Sequence, residues 1–432
     1  MTTDMNTPAP VQRISIEKKS PRAVLLELGC RLNQCEGEAI ASALRASGFE
    51  IALAPEDVDL AIVNSCGVTA TASSKSFAAV RRLRRDNPKA FIIFSGCAAS
   101  LPSENLPCDI VVPSVSKDSI PKLAAEHFGL AQTSSPELRP GGAKTRAYLK
   151  IQDGCNNFCA FCVVPFARGR ERSLEPKALR ESFTRLLDAG FKEVVLTGVN
   201  LCAYSRDGLD LPALVESFLA LPGDFRLRLG STEPHPSLAR LAEIMESDRK
   251  LCRFLHLPLQ HGADSILKSM GRKYLTANFA ELVAMARSLV PGIHIGTDII
   301  AGLPGETEEL FEESKNFLET QSFSNMHVFS YSPRDGTRAA EMPGQVSEAE
   351  LRRRHDILKE LAASKAKEFA LSQIGKPLAM LTERPKKQGF ASGWSDNYLK
   401  LELPASPPSR NEFIEVIAKT IDDNGVLMCG KA

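Results

Sequence analysis

From residue 23 onward, short apolar runs of strand length alternate with stretches whose apolar positions recur at helical spacing. Runs at 23–28, 60–64, 91–95 and 109–112 are interleaved with helix-compatible stretches at 36–46 and 73–85. Alternation at this scale predicts a parallel, doubly wound sheet. A second series places strands at 147–151, 193–196, 226–229, 254–257, 294–298 and 326–329. Helices are expected between them, for example at 175–189, 238–247 and 306–320. Six βα units predict an open or partial barrel, because a closed eight-fold barrel needs ~250 residues. A charged helix is expected at 348–370. Beyond Gly375 the texture changes to five short strands, at 378–382, 389–394, 398–403, 413–420 and 426–429. Pro, Gly and Asn turns separate them, which predicts a small all-β barrel.

The expected class is therefore α/β with an all-β appendage. Residues 1–20 are a polar tail, 21–131 a parallel-sheet domain, and 132–144 a linker rich in turn formers. Residues 145–372 form the partial (β/α)6 barrel and 373–432 the β barrel. The length, 432 residues, is ample for several cores. The net charge of +1 supplies no global field to draw the protein onto nucleic acid, so any polyanion must be held by local patches. No apolar stretch long enough to span a membrane and no secretory h-region is visible. A cytoplasmic location is expected, where eleven cysteines point to metal or catalytic thiols rather than disulfides.

Three of those cysteines fall in the run Gly154-Cys155-Asn156-Asn157-Phe158-Cys159-Ala160-Phe161-Cys162. A C-x3-C-x2-C loop can aim three thiolates at one inorganic cluster. Three thiolates on a four-iron cubane leave one iron open to a small molecule such as S-adenosylmethionine. A zinc loop completed by a distant ligand, or packed thiols, are the alternatives. A second set, Cys30, Cys66 and Cys97, follows three predicted parallel strands, each beside a glycine. That topology gathers three thiols at one sheet edge, where a second cluster or merely small turn residues are expected. Cys35 is expected to face a helix interior, and Cys108, Cys202, Cys252 and Cys429 to pack.

Other candidates sit at carboxyl ends of predicted barrel strands, where parallel folds bind ligands. They are Thr197, Gly198 and Asn200 in Thr197-Gly198-Val199-Asn200, Glu233, Gln260, and Asp298 and Gly302 in the glycine-rich stretch 297–307. That stretch lacks a P-loop lysine, so adenine or ribose contact is expected rather than a phosphate grip. Local basic groups, Arg168, Arg170 and Arg172 near the cysteine loop and Arg384, Lys386 and Lys387 in the β barrel, are candidates for phosphate contact. Phe390, Trp394 and Tyr398 in that barrel would suit RNA stacking.

These residues resemble the radical S-adenosylmethionine methylthiotransferase family over residues 23–432. The likeness is carried by Leu28-Gly29-Cys30-Arg31-Leu32-Asn33-Gln34, Asn64-Ser65-Cys66-Gly67-Val68-Thr69, Ser95-Gly96-Cys97, the C-x3-C-x2-C loop, and the stretches 256–262, 297–307 and 329–337. Within the family, 28–38 and 151–173 are most similar to the branch acting on N6-threonylcarbamoyladenosine in tRNA. Cys35, His261 and the pair Gly230-Ser231 depart from that branch's pattern.

The resemblance implies an enzyme with two 4Fe–4S clusters and S-adenosylmethionine. Cys155, Cys159 and Cys162 would hold the radical cluster, and Cys30, Cys66 and Cys97 an auxiliary cluster that carries the inserted sulfur. Phe161, Thr197, Gly198, Asn200, Glu233, Gln260, Asp298 and Gly302 would touch the cofactor. Arg168, Arg170, Arg384, Lys386 and Lys387 would contact RNA, with the last domain a TRAM barrel. The implied product is the 2-methylthio derivative of the nucleoside beside the anticodon. The implied partners are tRNA and a reducing donor such as flavodoxin or ferredoxin, and a monomer is expected. The rivals are an isopentenyl-adenosine tRNA substrate and a non-catalytic, zinc-stabilised RNA-binding protein.

Overall fold

A computed structural model describes residues 20–101, 105–131, 145–384, 388–404, 410–423 and 425–431. The expected tail (apart from Ser20), the expected linker at 132–144, and Lys386 and Lys387 lie outside the described residues.

The first module is a parallel sheet of β1 (Arg22–Glu27), β2 (Glu50–Ile51), β3 (Leu60–Ser65), β4 (Phe91–Gly96) and β5 (Ile110–Pro113), in the order β2-β1-β3-β4-β5. β3 is the middle strand and every residue of it is buried, as befits its apolar run at 60–63 covered on both faces. Helices α1 (Arg31–Ala46), α2 (Ala70–Asp86) and α3 (Ile120–Phe128) flank the sheet. The two-residue edge strand β2 is too short to leave a sequence signature. α1 begins five residues ahead of its apolar pattern, because its first turn buries a single apolar residue, Leu32, beside polar Asn33. Asn33 is buried there and donates from Nδ2 to Ser65 O at 2.8 Å.

The second module carries six parallel strands: β6 (Arg146–Lys150), β7 (Glu193–Thr197), β8 (Arg226–Leu229), β9 (Phe254–His256), β10 (His294–Ala301) and β11 (Asn325–Ser330). They form two three-stranded sheets, β8-β7-β6 and β9-β10-β11. Isolated parallel bridges Leu227–Leu251 and Ser231–His256 join β8 to β9, giving one curved half-barrel. Its largest apolar core gathers Phe183, Phe218, Leu227, Phe279 and Phe311. Helix α4 (Val164–Arg168) follows the cysteine loop. The long helix Glu348–Leu371 packs over edge strand β11. At the other edge α1 lies against β6, and the Cys35 thiol donates to Tyr148 O at 3.5 Å.

The third module is a closed barrel of β12 (Pro377–Glu383), β13 (Phe390–Ser395), β14 (Lys400–Pro404), β15 (Phe413–Ile421) and β16 (Leu427–Lys431), ordered β12-β13-β14-β16-β15. Closure removes the exposed edges that a small sheet otherwise presents. The half-barrel docks it with two buried arginines. Arg226 donates to Ala379 O (3.1 Å) and Trp394 O (3.0 Å), and Arg228 to Asp396 O (2.8 Å) and Ser395 O (3.0 Å). Buried Glu193 on β7 neutralises both, taking Arg226 Nε at 2.7 Å and Arg228 Nε at 2.8 Å.

Candidate active site between two cysteine triads

The C-x3-C-x2-C loop leaves the carboxyl end of β6 by way of Gln152 and Asp153. Gly154 turns the chain at φ +71°, and a Cβ there would lie 2.1 Å from Arg170 O, so only glycine fits. Gln152 laces this root to the next strand's loop. Its Nε2 donates to Gly154 O (2.8 Å), and its Oε1 accepts the backbone N–H of Val199 (3.0 Å) and Asn200 (2.9 Å). A Cβ on Gly198 would press within 2.9 Å of Gln152 O. Cys155, Cys159 and Cys162 all line one cavity of about 570 Å³.

Cys30, Cys66 and Cys97 end β1, β3 and β4, three neighbouring strands. Their glycines show how closely the backbones approach. A Cβ on Gly29 would stand 3.2 Å from Cys66 Cβ, and one on Gly67 would stand 2.9 Å from Ala98 N. Cys30 and Cys97 line the same cavity as the first triad. Cys66 sits behind them, its thiol raised by burial and further by the charges of Cys97 and Cys30.

Both triads suit a metal cluster. Burial raises the Cys155 thiol and pushes Cys162 up to about 12. Such thiols stay protonated until a metal displaces the proton. Among the described residues, only His256, Asp298 and His327 bring three donor atoms within 4.8 Å of one another. The cysteine triads are thus splayed wider than a single tetrahedral ion would hold them. Each triad also receives one arginine N–H on sulfur. Arg272 Nη1 donates to Cys159 at 3.2 Å and Arg168 Nε to Cys97 at 3.3 Å.

Of the expected cofactor residues, Phe161, Thr197, Gly198 and Asn200 line the cavity, as do Glu233, Gln260 and Asp298. Asn200 Oδ1 is buried with no hydrogen-bond partner in the protein, an acceptor free for a ligand's ammonium group. Glu233 pairs with Arg272, yet burial still leaves its carboxyl raised. Gly302 is a correction. It takes φ +79° beyond β10, presses against Leu351, and donates its N–H to Glu306 Oε2 rather than lining the cavity.

Arg168 is a second correction: it is no surface contact for RNA. The side chain is 2% exposed and spends its donors on Glu36, Asp153, Asn33 and Cys97. Burial alone would raise the Glu36 carboxyl, but Arg168, Lys117 and Lys150 hold it at about 2. Arg170 and Arg384 are exposed, and Arg170 lies 4.4 Å over the half-exposed ring of Phe158. Sequence reasoning missed Gln152, Asp153, Arg272, Asn33 and Glu36. The only signal was their closeness in sequence to the cysteines, and Arg272 lacked even that. It also passed over His256 and His327, which flank Asp298 at the floor of the cavity. His256 Nε2 lies 3.2 Å from Asp298 Oδ1.

A parallel half-barrel with a C-x3-C-x2-C loop on its first strand defines a radical S-adenosylmethionine enzyme. Comparison with known proteins agrees. Residues 149–318 match the radical SAM superfamily, and residues 22–112 match uncharacterized protein family UPF0004. The threonylcarbamoyladenosine tRNA methylthiotransferase MtaB of Thermotoga maritima is 36% identical, over 93% of this chain and 95% of its own. Its Bacillus subtilis counterpart is 34% identical, over 90% and 92%. The tRNA-2-methylthio-N(6)-dimethylallyladenosine synthase of Pelotomaculum thermopropionicum is 33% identical, over 84% and 87%. Among solved structures, the radical S-adenosylmethionine methyltransferase TsrM of Kitasatospora setae superposes with a TM-score of 0.54 at 15% identity, over 74% of this chain and 75% of that one. That likeness concerns the fold alone. The chain belongs to the radical S-adenosylmethionine methylthiotransferase family.

Proposed function

We propose that the protein converts N6-threonylcarbamoyladenosine beside the tRNA anticodon to its 2-methylthio derivative. The observation that carries this reading is that Cys30 and Cys97 from one module line the same cavity as Cys155, Cys159 and Cys162 from another. Carbon 2 of adenine has no acidic proton and no leaving group, so acid–base chemistry has no purchase there. Cys155, Cys159 and Cys162 would hold a 4Fe–4S cluster that, with S-adenosylmethionine, would supply the one-electron chemistry such a carbon–hydrogen bond requires. Cys30, Cys66 and Cys97 would hold an auxiliary 4Fe–4S cluster that would supply the sulfur.

The chain's own groups bind and orient. Asn200 offers its free acceptor to the cofactor's ammonium, and Glu233 is positioned to reinforce it. Asp298 and Gln260 face the cofactor from farther along the barrel. Domains follow as 21–131 for the auxiliary cluster, 145–372 for the radical chemistry and 373–432 for RNA. Arg170 over Phe158, near the cysteine loop, and Arg384 on the third module are the RNA contacts we favour. Among the described residues no helix is long and apolar enough to cross a membrane. We place the enzyme in the cytoplasm as a monomer reduced by a flavodoxin- or ferredoxin-like donor.

Nucleoside mass spectrometry of tRNA from a deletion strain tests the substrate. The 2-methylthio threonylcarbamoyl form should vanish and return with the wild-type gene, but not with Cys155→Ala or Cys66→Ala. Loss of the 2-methylthio isopentenyl form, with the threonylcarbamoyl form intact, would instead align the chain with the dimethylallyladenosine enzymes.

A further inference from the structure

Arg168 ends α4, just beyond the radical cysteine loop, and its side chain bonds both a cysteine of the second triad and Asp153 at the root of the first. Its Nε donates to Cys97 Sγ at 3.3 Å. Nη1 donates to Glu36 Oε1 at 2.9 Å and to Asp153 Oδ1 at 3.0 Å. Nη2 donates to Asn33 Oδ1 at 2.7 Å and to Glu36 Oε2 at 3.0 Å. All the guanidinium donors are therefore used in a planar fork. The partners belong to both sites. Asn33 and Glu36 lie on α1, whose first turn follows Cys30, and Asp153 takes the Gly154 N–H (2.8 Å) just before Cys155. The surrounding charge is unbalanced. Arg168, Lys117, Lys150 and Arg172 share the carboxylates of Glu36 and Asp153, with Asp118 acting on Lys150 from farther off, and an anionic, thiolate-bound cluster would offset the positive excess.

We propose that Arg168 is a positioning residue that registers the two triads and sets the reduction potential of the cluster on Cys30, Cys66 and Cys97. This rests on the auxiliary-cluster reading given above. Cluster potentials follow net charge and hydrogen bonds to the ligand sulfurs. A buried cation donating N–H to Cys97 favours the reduced, more negative cluster. A plain interdomain ion pair would contribute stability without moving the potential.

The test uses the full-length chain carrying Cys155→Ala, Cys159→Ala and Cys162→Ala together, reconstituted with iron and sulfide. Its midpoint potential is measured by EPR-monitored titration with and without Arg168→Gln. Glu36 keeps Lys117 (2.5 Å) and Lys150 (3.2 Å) in that variant, so no carboxylate is stranded. Iron content should hold while the midpoint moves to more negative potential. An unmoved midpoint at equal iron content overturns the inference. Failure of the three-alanine parent to bind any cluster overturns the auxiliary-cluster reading itself, before Arg168 is touched. Should Arg168→Gln not fold, the three-alanine parent labelled with nitrogen-15 arginine decides. Nitrogen hyperfine coupling to the reduced auxiliary cluster supports the contact, and its absence refutes it. With both clusters present, Arg168→Gln should lower product formation about 10–100-fold.

Discussion

Arg31 donates from Nη2 to the hydroxyl of Tyr398 at 2.7 Å, joining residues 367 positions apart. Arg31 is next to Cys30, and Tyr398 belongs to the closed β barrel, so the contact ties the Cys30, Cys66 and Cys97 triad to the third module. The Tyr398 ring also receives the Arg228 guanidinium at 4.9 Å and Arg31 at 5.3 Å. Tyr398→Phe keeps the ring and removes only the acceptor, at an expected cost of about 1.5 kcal/mol. Tyr398→Leu also removes the cation–π contacts and should cost more. Midpoints of the first thermal transition rank the three proteins. Identical midpoints for Tyr398→Phe and wild type would refute the contact.

Glu193 is the anion on which the docking of that module depends. Burial would raise its carboxyl, but Arg226, Arg228 and Arg146 hold it well below the usual carboxylate range. Glu193→Gln preserves shape and leaves buried cations without a counter-ion. A loss of about 3–5 kcal/mol is expected, read from chemical denaturation. A change within the error of wild type would show that the arginines find other partners.

Gly96 takes φ +102°, and a Cβ there would fall 2.3 Å from Ser65 O. Gly96→Ala should therefore spread β3 from β4 next to Cys66 and Cys97. Iron per chain should drop by half after reconstitution, with the radical cluster retained. Full iron loading in the variant would contradict this.

His294 is buried between Phe254, Phe369 and Tyr398. Burial, then the charges of Arg228 and Arg287, lower it from 6.5 to about 3. The unfolded chain therefore takes up a proton that the folded one refuses. This contribution costs nothing above pH 6.5 and erodes stability from there down to about pH 3, by up to about 1.4 kcal/mol per pH unit. His294→Asn should flatten the stability profile over that window. Parallel profiles for the two proteins would exclude the effect.

Much of this architecture was legible because the central strands are continuous apolar runs. Residues 60–63 and 194–196 are buried throughout, and runs of that kind announce themselves. The cysteines were legible because their spacing is chemical. Depth was not legible. Arg168 reads as one more surface cation, since its partner Glu36 lies 132 residues away and charge alone carries no record of burial. Gly302 was misread for a related reason. Its glycine serves a left-handed turn against Leu351, a partner no local pattern reveals. The first turn of α1 hid because a lone Leu32 beside the hydrogen-bonded Asn33 makes no hydrophobic period.

The helix against β6 makes the half-barrel dependent on its neighbour. β6 ends its sheet, and α1 stands where another strand would be. Cut away from the first module, the remainder would present a raw hydrogen-bonding rim, and Lys150 and Arg168 would lose the Glu36 carboxylate. Such a fragment would be open to self-association along that rim.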